Sequence, residues 1–260
     1  MLTTLILGLG VGLVLGLTGA GGGVLAVPAL VFSQGWTVAQ AAPVGLLAVT
    51  GAALLGAVEG FMRGQVRYRA ALVMALAGIP LAPLGLAAAQ RAPASFLFGL
   101  FAVTLLVVAV RLLRPTAAGA RNQAPAQIDP QTGRLKWTPG VALMLGGVGA
   151  LAGFLTGLLG VGGGFILVPA LRKLTNIGMH GLVATSLMVI TLVGGAGIAT
   201  ALWHGIPLPV AVALPFIAAT AVGMTGGRLL VRRFHPQHVQ RLFALLVIGV
   251  ALLMFYRAFA

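Results

Sequence analysis

Two stretches of this chain concentrate chemistry in the backbone rather than in side chains. GLTGAGGGVLAVPAL (Gly16–Leu30) and GLLGVGGGFILVPAL (Gly157–Leu171) each place three adjacent glycines shortly before a proline. Each glycine costs a helix about 1 kcal/mol relative to alanine. Proline removes a backbone donor and clashes with the preceding turn. Unwound backbone is therefore expected at both places. Its N–H groups, next to the start of a helix, suit an anion. In an apolar setting such backbone is tolerated only where it is buried in protein or lines a cavity. The candidate binding residues are Gly19, Gly21, Gly22, Gly23 and Pro28 in the first stretch, and Gly160, Gly162, Gly163, Gly164 and Pro169 in the second. Gly12, Gly16, Gly149, Gly153 and Gly157 read more simply as small residues that let helices pack closely. A nucleotide-binding loop does not fit, because no Lys-Ser/Thr follows the glycines and both flanks are apolar.

Side chains add little beyond hydroxyls. Thr18, Thr50, Thr156, Thr191 and Thr200 are each explained by a bond to a carbonyl of their own helix. Thr185 and Ser186, at the start of an apolar stretch, are the best further candidates for an anion site. The chain has only 2 acidic residues. Glu59 has Arg63 four residues on, a spacing that supports a helix end, and Asp129 lies in a polar segment. A cation site or proton path in a membrane core usually needs Asp or Glu, so the donor-rich, acid-poor pattern favours anions. His180, His204, His235 and His238 fall at the ends of apolar stretches and read as headgroup-level side chains. With no cysteine and no paired base and nucleophile, no catalytic residue, resident metal or cofactor is expected.

The elements that must position these residues are set by composition. Hydrophobic residues make up 60% of the 260 and charged residues 7%, against about 25% charged in an average soluble domain. Mean hydropathy is +1.11. The solvent of such a chain is lipid, and the lipid bilayer is its first partner. Its net charge of +14 sits at the ends of apolar runs, where it sets orientation, so nucleic acid is not an expected partner. Eight apolar stretches can be read, at about 2–32, 38–60, 70–89, 94–113, 139–171, 181–202, 207–231 and 238–259. Six have the length of one crossing, about 20 residues. The two glycine-interrupted ones are longer than one crossing and shorter than two. The first positions lack the basic start and cleavage site of a signal peptide.

A shift of 141 residues lays Gly12–Leu30 over Gly153–Leu171 with eleven of nineteen residues identical. The same register pairs Thr50 with Thr191, Gly56 with Gly197, Gly64 with Gly205 and Gly85 with Gly226. The chain thus divides into a first transmembrane repeat at 1–114, a polar cytoplasmic linker at 115–138 and a second transmembrane repeat at 139–260. Arg63, Arg67 and Arg69 follow the second apolar stretch, whereas the equivalent loop of the other half, WHGIPLP, has no Lys or Arg. The bias then reverses, with Arg91 alone set against Arg228, Arg232, Arg233 and Arg241. Under the positive-inside rule this reversal favours inverted halves over eight plain crossings. The expected fold is an all-α polytopic membrane protein. Each half has a Gly-broken helix or re-entrant hairpin plus three transmembrane helices, with the substrate bound between halves near the midplane.

The paired G-x-GGG-x₄-P elements, Gly19–Pro28 and Gly160–Pro169, with ATSLMVI at 184–190 and the turn containing Gly205, resemble the TauE/SafE sulfite exporter family. The likeness spans almost the whole chain. In the first half APVGLL (Ala42–Leu47) stands where the second has the ATSL pattern, so the hydroxyls are one-sided. The resemblance implies a multi-pass permease of the bacterial inner membrane for small anions such as sulfite, sulfonates or related organosulfur acids. The residues alone reach only an anion. The expected partner is a small anionic substrate, with association into a homo-oligomer left open. The alternatives are a non-transporting membrane scaffold or subunit, and a passive anion channel; a lipid-headgroup enzyme lacks the necessary groups. Single-cysteine labelling of this thiol-free chain tests the inversion. Labels at Gly64 and Asn176 should react from one face and Ser33 from the other, whereas eight plain crossings would separate Gly64 from Asn176.

Overall fold

A computed structural model describes residues 2–113, 125–128, 135–205, 209–230 and 236–259. These residues form a multi-pass helical membrane protein. In chain order the helices are α1 (Leu2–Thr18), α2 (Ala26–Gln34), α3 (Val38–Met62), α4 (Tyr68–Gly78), α5 (Leu81–Arg91), α6 (Ala94–Leu113), α7 (Pro139–Leu159), α8 (Gly164–Leu174), α9 (Met179–Trp203), α10 (Val210–Leu230) and α11 (Pro236–Phe259). Among the described residues six helices are long and apolar enough to cross a bilayer, and α4 with α5 forms a further, broken span bent by 42°. The bend lies at Pro80, which caps α5 and cannot continue the backbone ladder. Boundaries follow local chemistry elsewhere too. Thr37 and Gln40 form a reciprocal capping box at the start of α3, and the Thr138 hydroxyl accepts from Val141 N ahead of Pro139 in the first turn of α7.

Both glycine-interrupted stretches fold back on themselves. After α1 the chain passes through a 3₁₀ segment, Gly19–Leu25, and returns as α2. Gln34 Nε2 donates to Thr4 Oγ1 at 3.1 Å, so the end of α2 lies beside the start of α1. In the second half, residues 126–128 tie the two ends of the α7–α8 pair together. Ala126 N donates to Leu174 O at 2.9 Å, Lys136 N to Gln127 O at 2.8 Å, and Ile128 N to Asn176 Oδ1 at 2.7 Å. Each pair is a hairpin that enters and leaves at one end of the bundle.

The hairpins are seated by glycine. A Cβ on Gly12 would lie 2.0 Å from Thr220 O, and one on Gly16 2.3 Å from Met224 O, so α1 and α10 run parallel with their backbones touching. The repeat-equivalent contacts join α7 to α4 and α5: a Cβ on Gly153 would lie 2.2 Å from Gly78 O and one on Gly157 1.9 Å from Ala82 O. Those glycines do pack helices, as their spacing implies.

At the centre α3 crosses α9. Gly197 meets Leu46, Gly194 meets Thr50, Gly56 meets Leu187 and Gly60 meets Ala184. Rising numbers on one helix pair with falling numbers on the other, so these repeat-equivalent helices run antiparallel. The Leu46–Gly197 contact maps onto Leu187–Gly56 under the shift of 141 residues, as a pseudo-two-fold axis requires.

Basic segments gather at one end. Glu59, at the end of α3, bridges Arg63 and Arg228. Arg67 N donates to Thr185 Oγ1, and Arg67 and Arg69 share a recess with Leu135 and Trp137. Arg172 and Lys173 precede the Leu174–Asn176 tie. Arg257, in contrast, lies over the Phe32 ring beside the α2 end. His180 and His204 are exposed. Asp129, His235 and the side chain of His238 lie outside the described residues.

The packing predicts opposite outcomes for two glycines of α7. Gly157→Ala forces a methyl into Ala82 O and should lower stability by about 1–3 kcal/mol. Gly147 has nothing within 4 Å of its Cβ position, so Gly147→Ala should leave the protein unchanged or slightly more stable. Thermal unfolding in one detergent compares the pair.

Candidate functional site

The two breaks differ in backbone although their sequences match. In the second, Gly160, Gly162 and Gly163 take φ of +69°, +70° and +63°, a left-handed region that only glycine enters without strain. In the first, only Gly19 does so, at +76°, and Gly21–Gly23 continue as 3₁₀ turns. The prolines do not terminate helices. Pro28 is in the first turn of α2, where its missing N–H would lack a partner anyway. Pro169 lies inside α8. Glycine makes both breaks, because three left-handed or tightly wound residues already redirect the chain.

The breaks pass each other at the α3–α9 crossing. Gly22 is buried against Val14 and Leu15 of its own hairpin. A Cβ on Gly23 would lie 2.8 Å from Val49 and 3.4 Å from Val161 O. A Cβ on Gly162 would lie 3.0 Å from Val49 and 2.9 Å from its repeat equivalent Ile190. A Cβ on Gly163 would lie 2.8 Å from both Ala152 O and Thr156 Oγ1. The turning points lie to either side: Gly19 rests on Val183 near the start of α9, and Gly160 on Ala42 near the start of α3. Gly21 is half-buried and makes the loosest contact of its triplet. Gly164 is buried and opens α8, where Ile166 N and Leu167 N donate to Gly163 O.

Two hydroxyls remain without a partner here. Ser186 Oγ and Thr50 Oγ1 are buried and make no hydrogen bond among the described residues. Ser186 lies between Val183 and Ile190 on the face of α9 that meets both breaks (i, i+3 and i, i+4 spacing). Thr50 stands on α3 against Gly194, next in sequence to Val49. A buried unpaired hydroxyl costs about 1–3 kcal/mol, which a ligand accepting its hydrogen would recover. Thr185 has a different task. Its Oγ1 accepts from Arg67 N at 3.0 Å, anchoring the α3–α4 loop. Thr18, Thr156, Thr191 and Thr200 bond carbonyls four residues back in their own helices. Thr50 was assigned to that class by sequence; its approach to Gly194 leaves it unpaired instead.

The site is closed. The space beside the second break, lined by Ala42, Leu46, Gly160 and Gly197 among others, is about 10 Å³, which holds one water at most. The second break is thus buried in protein there, the first of the two settings that tolerate unwound backbone, because residues without Cβ let the backbones close to contact. A larger cavity, about 360 Å³, lies at the basic end between α3 and α10, lined by Leu55, Glu59, Arg63, Met224, Thr225, Arg228 and Leu229. There Glu59 Oε1 pairs with Arg63 at 2.8 Å, as its spacing implied, and Oε2 with Arg228. The Arg228 contact joins the halves and has no local signal in sequence. Among the described residues no group of three metal-ligating side chains occurs.

The family model for the sulfite exporter TauE/SafE matches residues 4–254. A probable membrane transporter protein of Xylella fastidiosa (strain 9a5c) is 31% identical over 255 residues, covering 96% of this chain and 93% of that protein. Its counterpart in strain Temecula1 matches equally. The probable membrane transporter protein YunE of Bacillus subtilis (strain 168) is 27% identical over 203 residues, 72% of each chain. No solved structure matches.

Ser186→Ala removes a buried hydroxyl that nothing in the resting protein satisfies, whereas Thr185→Val leaves Arg67 N without its acceptor. Denaturation should therefore find Ser186→Ala as stable as the parent or more so, and Thr185→Val less stable by about 1–3 kcal/mol.

Proposed function

This chain belongs to the sulfite exporter TauE/SafE family, and from that premise we propose that it is a carrier moving a small oxyanion across the inner membrane. Membership makes it a membrane transporter by family. The anion, the membrane and the residues that bind are the proposal. The observation that carries it is the pair of unpartnered hydroxyls, Thr50 and Ser186, on the two helices against which both glycine breaks pack. The oxyanion accepts from these hydroxyls and from backbone N–H groups of Gly21–Gly23 and Gly162–Gly164 when the halves part.

Electrostatics supports the sign of the charge. Glu59 stands at a helix end with two guanidinium partners, so the middle of the bundle offers donors and helix starts rather than carboxylates. The two hydroxyls are not repeat equivalents, since Gly45 stands at the position equivalent to Ser186, so α3 and α9 each contribute a different one.

The antiparallel α3–α9 crossing and the two hairpins support inverted halves, the arrangement that suits alternating access. The small space beside the second break, about 10 Å³, supports a carrier over a passive channel. The basic end faces the cytoplasm under the positive-inside rule. Sulfite or a sulfonate is preferred on the family's name alone.

Reconstituted in liposomes, the purified chain should take up labelled sulfite or a sulfonate with saturation and without single-channel currents. Ser186→Ala should lower that flux roughly ten- to a hundredfold, the loss of one charge-assisted hydrogen bond of about 1.5–3 kcal/mol. Absence of flux from the folded parent would sink the transport reading. Normal flux from Ser186→Ala would sink the site.

A further inference from the structure

The cavity at the basic end holds more positive charge than its own acid neutralises. Glu59 offers one carboxylate, with Oε1 on Arg63 and Oε2 on Arg228. Two cations therefore share one anion in a space of about 360 Å³, many times the ~10–15 Å³ that one water needs. Both arginines are partly exposed, so an ion can reach them from the headgroup layer. Guanidinium groups bind oxyanions as they bind carboxylates, through paired N–H donors. Glu59 thus occupies the place a second oxyanion would take.

Position adds weight to charge. Arg228 Nη1 lies 3.5 Å from the Cβ position of Gly56, which itself meets Leu187, the neighbour of Ser186. Arg228 N is 2.9 Å from the Cβ position of Gly16, three residues before the first break. The cavity therefore backs onto the α3–α9 crossing and the tip of the first hairpin. Its charges belong to one end only. Under the shift of 141 residues Glu59, Arg63 and Arg228 correspond to Thr200, His204 and Ala87. At the other end the cleft beside Gly160 and Gly197 is apolar and about 10 Å³.

We infer that Arg63 and Arg228 form a peripheral oxyanion site at the basic end, separate from the central hydroxyls, in which Glu59 is a built-in competitor. An incoming oxyanion, free or carried on a lipid headgroup, displaces the carboxylate from Arg228 and so also releases the one bridge from α3 to α10 that this trio makes. The site stands whether or not the chain is a carrier.

Sulfate is the probe, measured by calorimetry on the full chain in neutral detergent. Glu59→Gln should bind sulfate at least tenfold more tightly than the parent, and Arg228→Gln added to it should remove the gain. Ser186→Ala added to Glu59→Gln should keep the gain, which separates this site from the central one. Equal affinity of parent and Glu59→Gln overturns the inference, as does loss of the gain with Ser186→Ala. Should Glu59→Gln not fold, the parent decides: sulfate should slow phenylglyoxal modification of Arg228 relative to Arg91, and no slowing overturns it. Nanodiscs identify the natural occupant. Weaker sulfate binding to Glu59→Gln in phosphatidylglycerol than in phosphatidylcholine assigns a lipid phosphate, and equal binding assigns a free anion.

Discussion

Backbone-to-backbone contact through glycine is the constraint on which this architecture depends. Lipid offers no hydrophobic drive for apolar helices to associate, so close packing must supply it. Gly12 and Gly16 bring α1 onto α10, and Gly153 and Gly157 bring α7 onto α4 and α5. Every one of these contacts joins a hairpin of one half to a helix of the other. The halves are consequently interlocked, and neither hairpin has its seat without the partner half. The same absence of Cβ at Gly23 and Gly162 lets the interrupted segments cross at Val49 and Ile190. Non-helical backbone is thus shielded from lipid by protein, the condition under which a bilayer tolerates it.

Within this pseudo-symmetric frame the chemistry is one-sided. Thr50 and Thr191 are repeat equivalents, yet Thr191 bonds Leu187 O at 2.9 Å while Thr50 is left unpaired. Ser186 faces the breaks from α9, and its counterpart on α3 is Gly45. Left-handed glycines crowd the second break and 3₁₀ turns the first. Arginines converge on Glu59 at one end, where the other end has an apolar cleft. The two halves repeat the same elements, and unequal side chains give each half its own chemistry.

Much of the architecture was legible. The 60% hydrophobic content, the run lengths and the shift of 141 residues give the membrane class and the eight stretches, whose helical cores recur within a few residues. The Glu59–Arg63 pair followed from i, i+4 spacing, and the grouping of basic segments at one end from loop charge. The site was legible only in part. Triple glycine signalled unwinding correctly, because its cost to a helix is intrinsic. Pro28 and Pro169 were overrated as breakers: Pro28 sits in the first turn of α2, where it gives up little, and Pro169 is accommodated inside α8. That Thr185 also accepts from Arg67 N had no local signal, since the partner lies 118 residues away. Thr50 was discounted, because its approach to Gly194 has no local signal.

What the amino-acid order determined by itself was therefore local or additive: solvent, span lengths, the duplicated frame and the places where helices must stop. Only the tertiary structure decided that α3 and α9 cross antiparallel, that both interrupted stretches turn back as hairpins, that Ser186 and Thr50 go unpaired, and that Arg228 reaches Glu59 from 169 residues away. The physical reason is that hydrogen-bond satisfaction and void volume depend on which surfaces meet across the bundle, and periodicity along one helix carries no record of its partner.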